Sequence, residues 1–445
     1  MALDSRDTIF AIATPPGVGG IGVLRVSGTA VEDIAQQLLG SVPAPRRATF
    51  THFRDELGQS IDTGLAVYFP APNSLTGEDV IEFQGHGGPV VQQLLGDRVA
   101  QLGARPARPG EFLERAFLND KMDLTQAEAV ADLIESGTAA AARAAQRSMQ
   151  GALSKRVEAL QEQLISLRVY VEAALDFPEE EIDFIADSDV AERLSRLTDK
   201  LGRLRAEAEQ GRLLRDGITL AIFGQPNAGK SSLMNALAGR DSAIVTNMPG
   251  TTRDVLREVV SLDGLPVHIA DTAGIREAAD EVEAEGVRRA RSELQSCDLA
   301  LLVIDLTDEI EDQQALANEV PQGVRCIKVF NKIDLVSHPA RGADEEQQAW
   351  ISAKTGAGIN GLVSLIKGGA GLATGAGGSF SARTRHLDIL RRVQEHLESG
   401  RSRLDSPEVL AEELRLAHRA LGEITGDYLP DDLLGAIFSS FCIGK

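Results

Sequence analysis

Apolar residues along this 445-residue chain fall into three successive rhythms. Over residues 1–118 short apolar runs alternate with Gly/Pro turns. Ile9–Ala13, Ile21–Val26, Gly64–Phe69 and Val80–Phe83 read as strands, and Gly85–Gly88 opens a helix reaching about Leu102. That predicts an α+β domain. Over 119–216 the period lengthens: Leu153, Val157, Leu160, Leu164, Leu167 and Val171 recur at helical spacing, as do Val190, Leu194, Leu197, Leu201 and Leu204. These predict long amphipathic helices, separated by an acidic, solvated link at 178–184. Residues 217–368 alternate strands with helices, the pattern of a mostly parallel α/β sheet. The Gly/Ser/Ala-rich stretch 368–382 predicts a flexible linker. Within 369–445 the helical rhythm returns through Leu387, Leu390, Val393, Leu397, Leu410, Leu414 and Leu421. Helices before and after the α/β segment can pack on each other, so the expected architecture is an α/β domain inserted into a helical one.

The strand ends of the α/β segment carry the chemistry. Ile218–Phe223 reads as a buried strand and leads into Gly224-Gln-Pro-Asn-Ala-Gly229-Lys230-Ser231, a G-x-x-x-x-G-K-S loop opening the helix Ser232–Leu237. Its glycines let backbone N–H groups close around phosphates, and the helix N-terminus adds its positive end. Lys230 reaches the terminal phosphates and Ser231 offers a hydroxyl to Mg²⁺. Val267–Ala270 ends in Asp271-Thr-Ala-Gly274, where the carboxylate can orient Mg²⁺ through water and the glycine can offer an N–H to the γ-phosphate. Between them, Gly250-Thr-Thr-Arg-Asp254 supplies a threonine hydroxyl for the same ion. Val324–Phe330 ends in Asn331-Lys-Ile-Asp334. A carboxylate there accepts from the N1–H and 2-amino group of guanine, donors that adenine lacks, and such a site rejects the analogue without them. Ser352-Ala-Lys354 follows the strand Ala349–Ile351 and supports the base. Four motifs in order, each at a strand end, predict GTP over ATP.

One expected group is missing. Ras-like GTPases orient the attacking water with a Gln directly after D-x-x-G, and here Ile275 stands in that place. Glu277, Asp280, Glu281, Glu283 and Glu285 all lie in the next stretch as possible bases, and spacing does not choose among them. Arg253, Arg276 and a monovalent cation are candidates for transition-state charge. Asn227 is a neutral oxygen donor inside the phosphate loop and suits a weakly held K⁺.

Composition narrows the partners. Net charge is −21, from 66 acidic and 45 basic residues, and aromatics are 4%. Neither a broad basic face nor a base-stacking platform is expected, so an RNA partner would rely on another protein for much of its phosphate binding. Three cysteines, Cys297, Cys326 and Cys442, are too few and too scattered for a disulfide framework or a zinc site. The N-terminus lacks a signal pattern and no apolar run reaches about 18 residues, so a cytoplasmic location without a membrane span is expected.

TIFAIATPPGVGGIGVLRVSG (8–28), DVIEFQGHGG (79–88), RPGEFLERAFLNDKMDLTQAEAVADLI (108–134), GQPNAGKSSLMNAL (224–237), GTTRD, DTAGIRE and the terminal FCIGK (441–445) together resemble the bacterial tRNA-modification GTPases of the MnmE (TrmE) family over the whole length. The resemblance implies a folate-binding and dimerising N-terminal domain at 1–118. It implies a helical domain from 119–216 and 369–445, and a G domain at 217–368. The nucleotide set it implies is Asn227, Ala228, Gly229, Lys230, Ser231, Ser232, Thr246, Asn247, Met248, Pro249, Gly250, Thr251, Thr252, Asp271, Thr272, Ala273, Gly274, Asn331, Lys332, Asp334, Ser352, Ala353 and Lys354. Mg²⁺ would sit on Ser231 and Thr252, and K⁺ on Asn227, Thr246, the backbone of Met248 and Thr251. Glu283 takes the place of the family's catalytic residue. Arg25, Glu82, Lys121 and Lys445 take those of its contacts to 5,10-methylene- or 5-formyl-tetrahydrofolate. The family works as a homodimer with the flavoprotein MnmG (GidA), adding an aminomethyl or carboxymethylaminomethyl group to carbon 5 of the wobble uridine of certain tRNAs. Cys442 is either a small apolar residue packing the terminus or a thiol near the one-carbon chemistry. Pro249 departs from the pattern by removing a backbone N–H from its loop. One rival reading is a binding module that uses GTP only to set dimer geometry; the other is a ribosome-assembly GTPase. It shares the P-loop and the missing Gln, but brings a basic appendage rather than acidic helices.

Overall fold

A strand that alternates apolar and polar positions buries one face and leaves the other free, and the N-terminal sheet is built this way. The computed structural model describes residues 7–176, 188–239, 258–270, 294–336, 347–372, 380–441 and 444. The chain forms two units: Met1–Ala131 with Gly422–Lys445, and Asp132–Leu421. The first unit holds β1 (Ile9–Ile12), β2 (Gly19–Ser27), α1 (Val31–Leu39), β3 (Thr49–Arg54), β4 (Ser60–Phe69), β5 (Val80–Gly87), α2 (Pro89–Gln101), β6 (Arg105–Pro106), α3 (Glu111–Leu118) and most of α4 (Leu124–Glu135). Its sheet runs β3-β4-β5-β2-β1-β6, antiparallel except between β1 and β6. Leu24, Val26, Ile34, Leu38, Phe53, Ile81, Phe83, Leu95 and Val99 form its core, with Phe53 and Phe83 edge to face at 5.6 Å.

β5 extends further than expected. Gly85–Gly87 continue the strand, and the helix begins only at Pro89. A Cβ on Gly87 would lie 2.6 Å from the Gly19 carbonyl oxygen. The glycines there serve close strand pairing rather than a helix start. Beside this sheet lies a buried charge cluster. Glu111 is fully buried and accepts from Arg105 Nη1 at 2.9 Å, Arg108 N at 2.8 Å and Arg115 Nη2 at 3.2 Å. Burial alone would raise its pKa, but these donors hold the carboxyl down at about 2.

The second unit contains α5 (Ala139–Met149), α6 (Ala152–Asp176), α7 (Ser188–Asp216), β7 (Ile218–Phe223), α8 (Lys230–Ala238), β8 (Glu258–Leu262), β9 (Leu265–Ala270), β10 (Leu299–Asp305), α9 (Ile310–Ala315), β11 (Arg325–Asn331), β12 (Gln348–Trp350), α10 (Ile359–Gly369), α11 (Thr384–Arg401) and α12 (Pro407–Gly422). The leucines and valines that set the rhythm of α6 and α7 are buried, and α7 packs against both α6 and α11. The sheet order is β12-β11-β10-β7-β9-β8, parallel apart from the β8–β9 hairpin. Every residue of β10 is buried, because apolar clusters cover both faces of the sheet. The C-terminal helix α13 (Asp431–Ser439) returns to the first unit, where Phe438 and Phe441 pack on Leu113, Leu124 and Ala127. Among the described residues no helix is long and apolar enough to cross a membrane.

The predicted linker 368–382 is corrected at both ends. α10 runs to Gly369, and Phe380, Ser381 and Ala382 are buried. Ser381 N donates to Ser148 Oγ at 2.9 Å and Ser381 Oγ to Asp132 Oδ2 at 3.1 Å. Asp132 also accepts from Arg215 Nε and Arg383 Nη2, both at 2.7 Å. One buried carboxylate thus holds the last turn of α7 and the start of α11.

Candidate functional site

The phosphate loop follows β7. Gly224 has φ 146°, and a Cβ there would lie 2.3 Å from the Val303 carbonyl oxygen. Asn227 is left-handed at φ 64° and exposed. Gly229, at φ 95°, caps α8, and a Cβ on it would lie 2.2 Å from Asn331 Nδ2. The Lys230 ammonium curls over the loop, donating to Gly224 O at 3.0 Å and Gln225 O at 2.9 Å. Burial lowers its pKa from the ordinary lysine value. Ser231 and Ser232 are exposed in the first turn of α8. An uncapped helix start, backbone N–H groups and an ammonium group make an anion-seeking surface.

Asn331 joins this loop to two others. It is 3% exposed; its Nδ2 donates to Ala228 O at 2.9 Å and its Oδ1 accepts from Ala353 N at 3.0 Å. Lys332 follows it in a left-handed conformation, φ 66°, its ammonium group paired with Asp305. Asp334 and Lys354 are exposed. Ser352 is buried, and its Oγ accepts from Thr355 N at 3.1 Å, closing the turn that presents Ala353 and Lys354. Three segments far apart in sequence therefore meet at one end of the sheet. Thr246, Asn247, Met248, Pro249, Gly250, Thr251, Thr252, Asp271, Thr272, Ala273, Gly274 and Glu283 lie outside the described residues, as do Cys442 and Lys445.

A second constellation occupies the antiparallel sheet. Arg25 and Glu82 are register partners on β2 and β5, joined at 2.9 Å, and Arg25 Nη1 donates to Gly444 O at 3.3 Å. The Arg25 guanidinium also lies 5.7 Å from the Phe112 ring centre. Lys121 Nζ donates to Pro72 O at 2.8 Å.

Sequence reading missed Asp305, whose only signal was a carboxylate closing an unbroken apolar strand. It missed Asp62 too. That carboxylate accepts both the backbone N–H and Nδ1 of His86 at 2.7 Å, so the His86 ring is held by a neighbouring strand.

Comparisons with known proteins agree along the chain. The profile of the MnmE helical domain matches residues 124–442, and that of the GTP-binding protein TrmE N-terminus matches 8–121. The tRNA modification GTPase MnmE of Methylococcus capsulatus is 53% identical, covering 100% of both chains. That of Vibrio cholerae is 52% identical over 99% of this chain and 100% of its own. Among solved structures, the G domain of the Thermotoga maritima FeoB iron transporter is 27% identical over 34% of this chain and 98% of its own, with a TM-score of 0.26. On profiles that span both units and relatives matched from end to end, the chain belongs to the MnmE family of tRNA modification GTPases.

Proposed function

We propose that this chain is a K⁺-stimulated GTPase. With a flavoprotein of the MnmG type, it modifies carbon 5 of the wobble uridine of tRNA in the cytoplasm, using a one-carbon unit from tetrahydrofolate. The observation that carries the nucleotide half is the Asn331 bracket, which ties Ala228 of the phosphate loop to Ala353 of the base loop. In this reading Asp334 accepts from guanine N1–H and the 2-amino group, while the Lys332 stem lies along the base. Lys230 and the start of α8 hold the phosphates. Glu283 orients the attacking water. Ser231 with Thr252 would hold Mg²⁺; Asn227, Thr246, Thr251 and the backbone of Met248 would hold K⁺. Asn227 and Ser231 fit these roles as exposed neutral oxygen donors beside the phosphate loop. Such cations, when bound, neutralise charge that builds on the transferring phosphoryl group.

The Arg25–Glu82 pair, reaching the chain terminus through Gly444, supports a tetrahydrofolate site completed by Lys121 and Lys445. The segments 1–118, 119–216 with 369–445, and 217–368 then act as folate, helical and G domains. The molecule pairs through the first, and its G domains meet during turnover. The deciding experiment is GTP turnover in KCl against NaCl at equal ionic strength. Faster turnover in KCl is expected, and equal rates would remove the monovalent cation from the mechanism. Glu283→Ala is expected to bind GTP without turning it over and to lose wobble-uridine modification.

A further inference from the structure

Lys332 adopts a left-handed backbone conformation that lysine resists, so its surroundings must hold it there. Its ammonium group is held by Asp305, the register partner of Asn331 on the neighbouring strand β10. Asp305 is 3% exposed and is itself fixed on every side. Its second oxygen accepts from Thr307 N at 2.9 Å and Thr307 Oγ1 at 2.7 Å. Gln313, 1% exposed, accepts from Asp305 N at 2.7 Å and donates to Asp305 O and Glu309 O, both at 3.0 Å. A buried carboxylate is costly to keep unless it is paired and hydrogen-bonded. None of the roles assigned above requires it, yet its cation is the lysine of the base motif.

We propose that Asp305 is the positioning residue for guanine recognition: it anchors the Lys332 ammonium so that the lysine stem forms a preset wall of the base slot beside Asp334. The inference rests on the base-site reading and extends it. A lysine side chain is rich in rotamers, and freezing it when the base arrives would weaken binding. Asp305, locked by Thr307 and Gln313, freezes it beforehand. The effect falls on the base side of the nucleotide and leaves the phosphoryl chemistry alone.

The test is equilibrium displacement of a fluorescent GDP analogue from the full-length protein, paired with steady-state GTP hydrolysis and nucleotide-free melting. Asp305→Asn is expected to weaken GDP and GTP by a common factor of about ten. KM should rise by that factor, with turnover at saturating GTP changing less than about twofold. In a Lys332→Ala background the same substitution should cost less than about twofold, because the anchored group is gone. Additive losses in the double variant would overturn the proposal, as would a lowered melting temperature with unchanged nucleotide affinity. Asp334→Asn checks the underlying reading separately and should shift preference from guanine to xanthine nucleotides. Retained guanine preference would sink the base site as a whole. A shifted preference together with additive Asp305 and Lys332 losses would sink the Asp305 role alone.

Discussion

The two six-stranded sheets carry their candidate sites on different parts of their architecture. In the antiparallel sheet one face packs on α1 and α2, and the other stays partly open. Side chains from adjacent strands meet there, as Arg25 and Glu82 do. The mostly parallel sheet is covered on both faces, so its strand surfaces are spent on packing and only the strand ends remain for chemistry. Its site is accordingly built in the loops after the strands: glycine turns, a helix start and the Asn331 bracket. A site on a sheet face depends on cross-strand pairing, whereas a site at strand ends depends on loop conformation.

That contrast breaks most sharply at Gly229. Gly229→Ala forces a Cβ to 2.2 Å from Asn331 Nδ2 at φ 95°. It is expected to weaken GDP binding by at least about 100-fold, measured by nucleotide displacement. A loss under tenfold would mean that the loop yields easily. In the first unit, Glu111→Ala removes the carboxylate that Arg105 and Arg115 share, leaving them Asp7 and Glu78, at a cost of about 1.5–3 kcal/mol. Denaturant unfolding followed by circular dichroism checks this. Trp350, the single tryptophan, sits on β12 of the other sheet and reports that sheet independently.

Acid should act on the same carboxylate. Its ordinary value is 4.5 and the fold holds it at about 2, so its contribution is fully present above 4.5 and is lost as pH falls from there through about 2. An acid titration of the first unit should show this loss, and Glu111→Gln should flatten it. The smallest effect on stability is expected at Arg25. Arg25→Ala should cost less than about 1 kcal/mol, because the pair is partly solvated, yet should weaken tetrahydrofolate binding measured by calorimetry. Unchanged binding would reduce Arg25–Glu82 to an ordinary cross-strand pair.

Legibility in sequence follows the same division. Strand-end motifs are local, so the positions of the phosphate loop and of the Asn331 and Ser352 segments after their strands are legible in sequence, and the apolar rhythm placed most strands and helices. α1 and β3 escaped because their apolar positions are mixed with charges and amides in short windows. Pairings across long separations left no local trace. Lys332 meets Asp305 across 27 residues, and Ser381 meets Ser148 across 233. The Gly/Ser/Ala composition near 380 predicted flexibility, since composition does not register a hydrogen bond whose partner lies elsewhere in the chain.

Asp132 has a topological consequence. By gripping Arg215 and Arg383 it fixes both feet of the α/β segment at one carboxylate, so the helical frame experiences that segment as a closed loop with a fixed chord. Loop-closure entropy grows only logarithmically, about 0.6 kcal/mol per doubling of length. What is strung between the feet therefore costs the frame little, whatever its size. The frame is expected to keep its α7–α11 packing if the whole α/β segment is replaced by a short Gly/Ser tether. Asp132→Ala in that shortened chain would show how much the frame depends on having its feet tied.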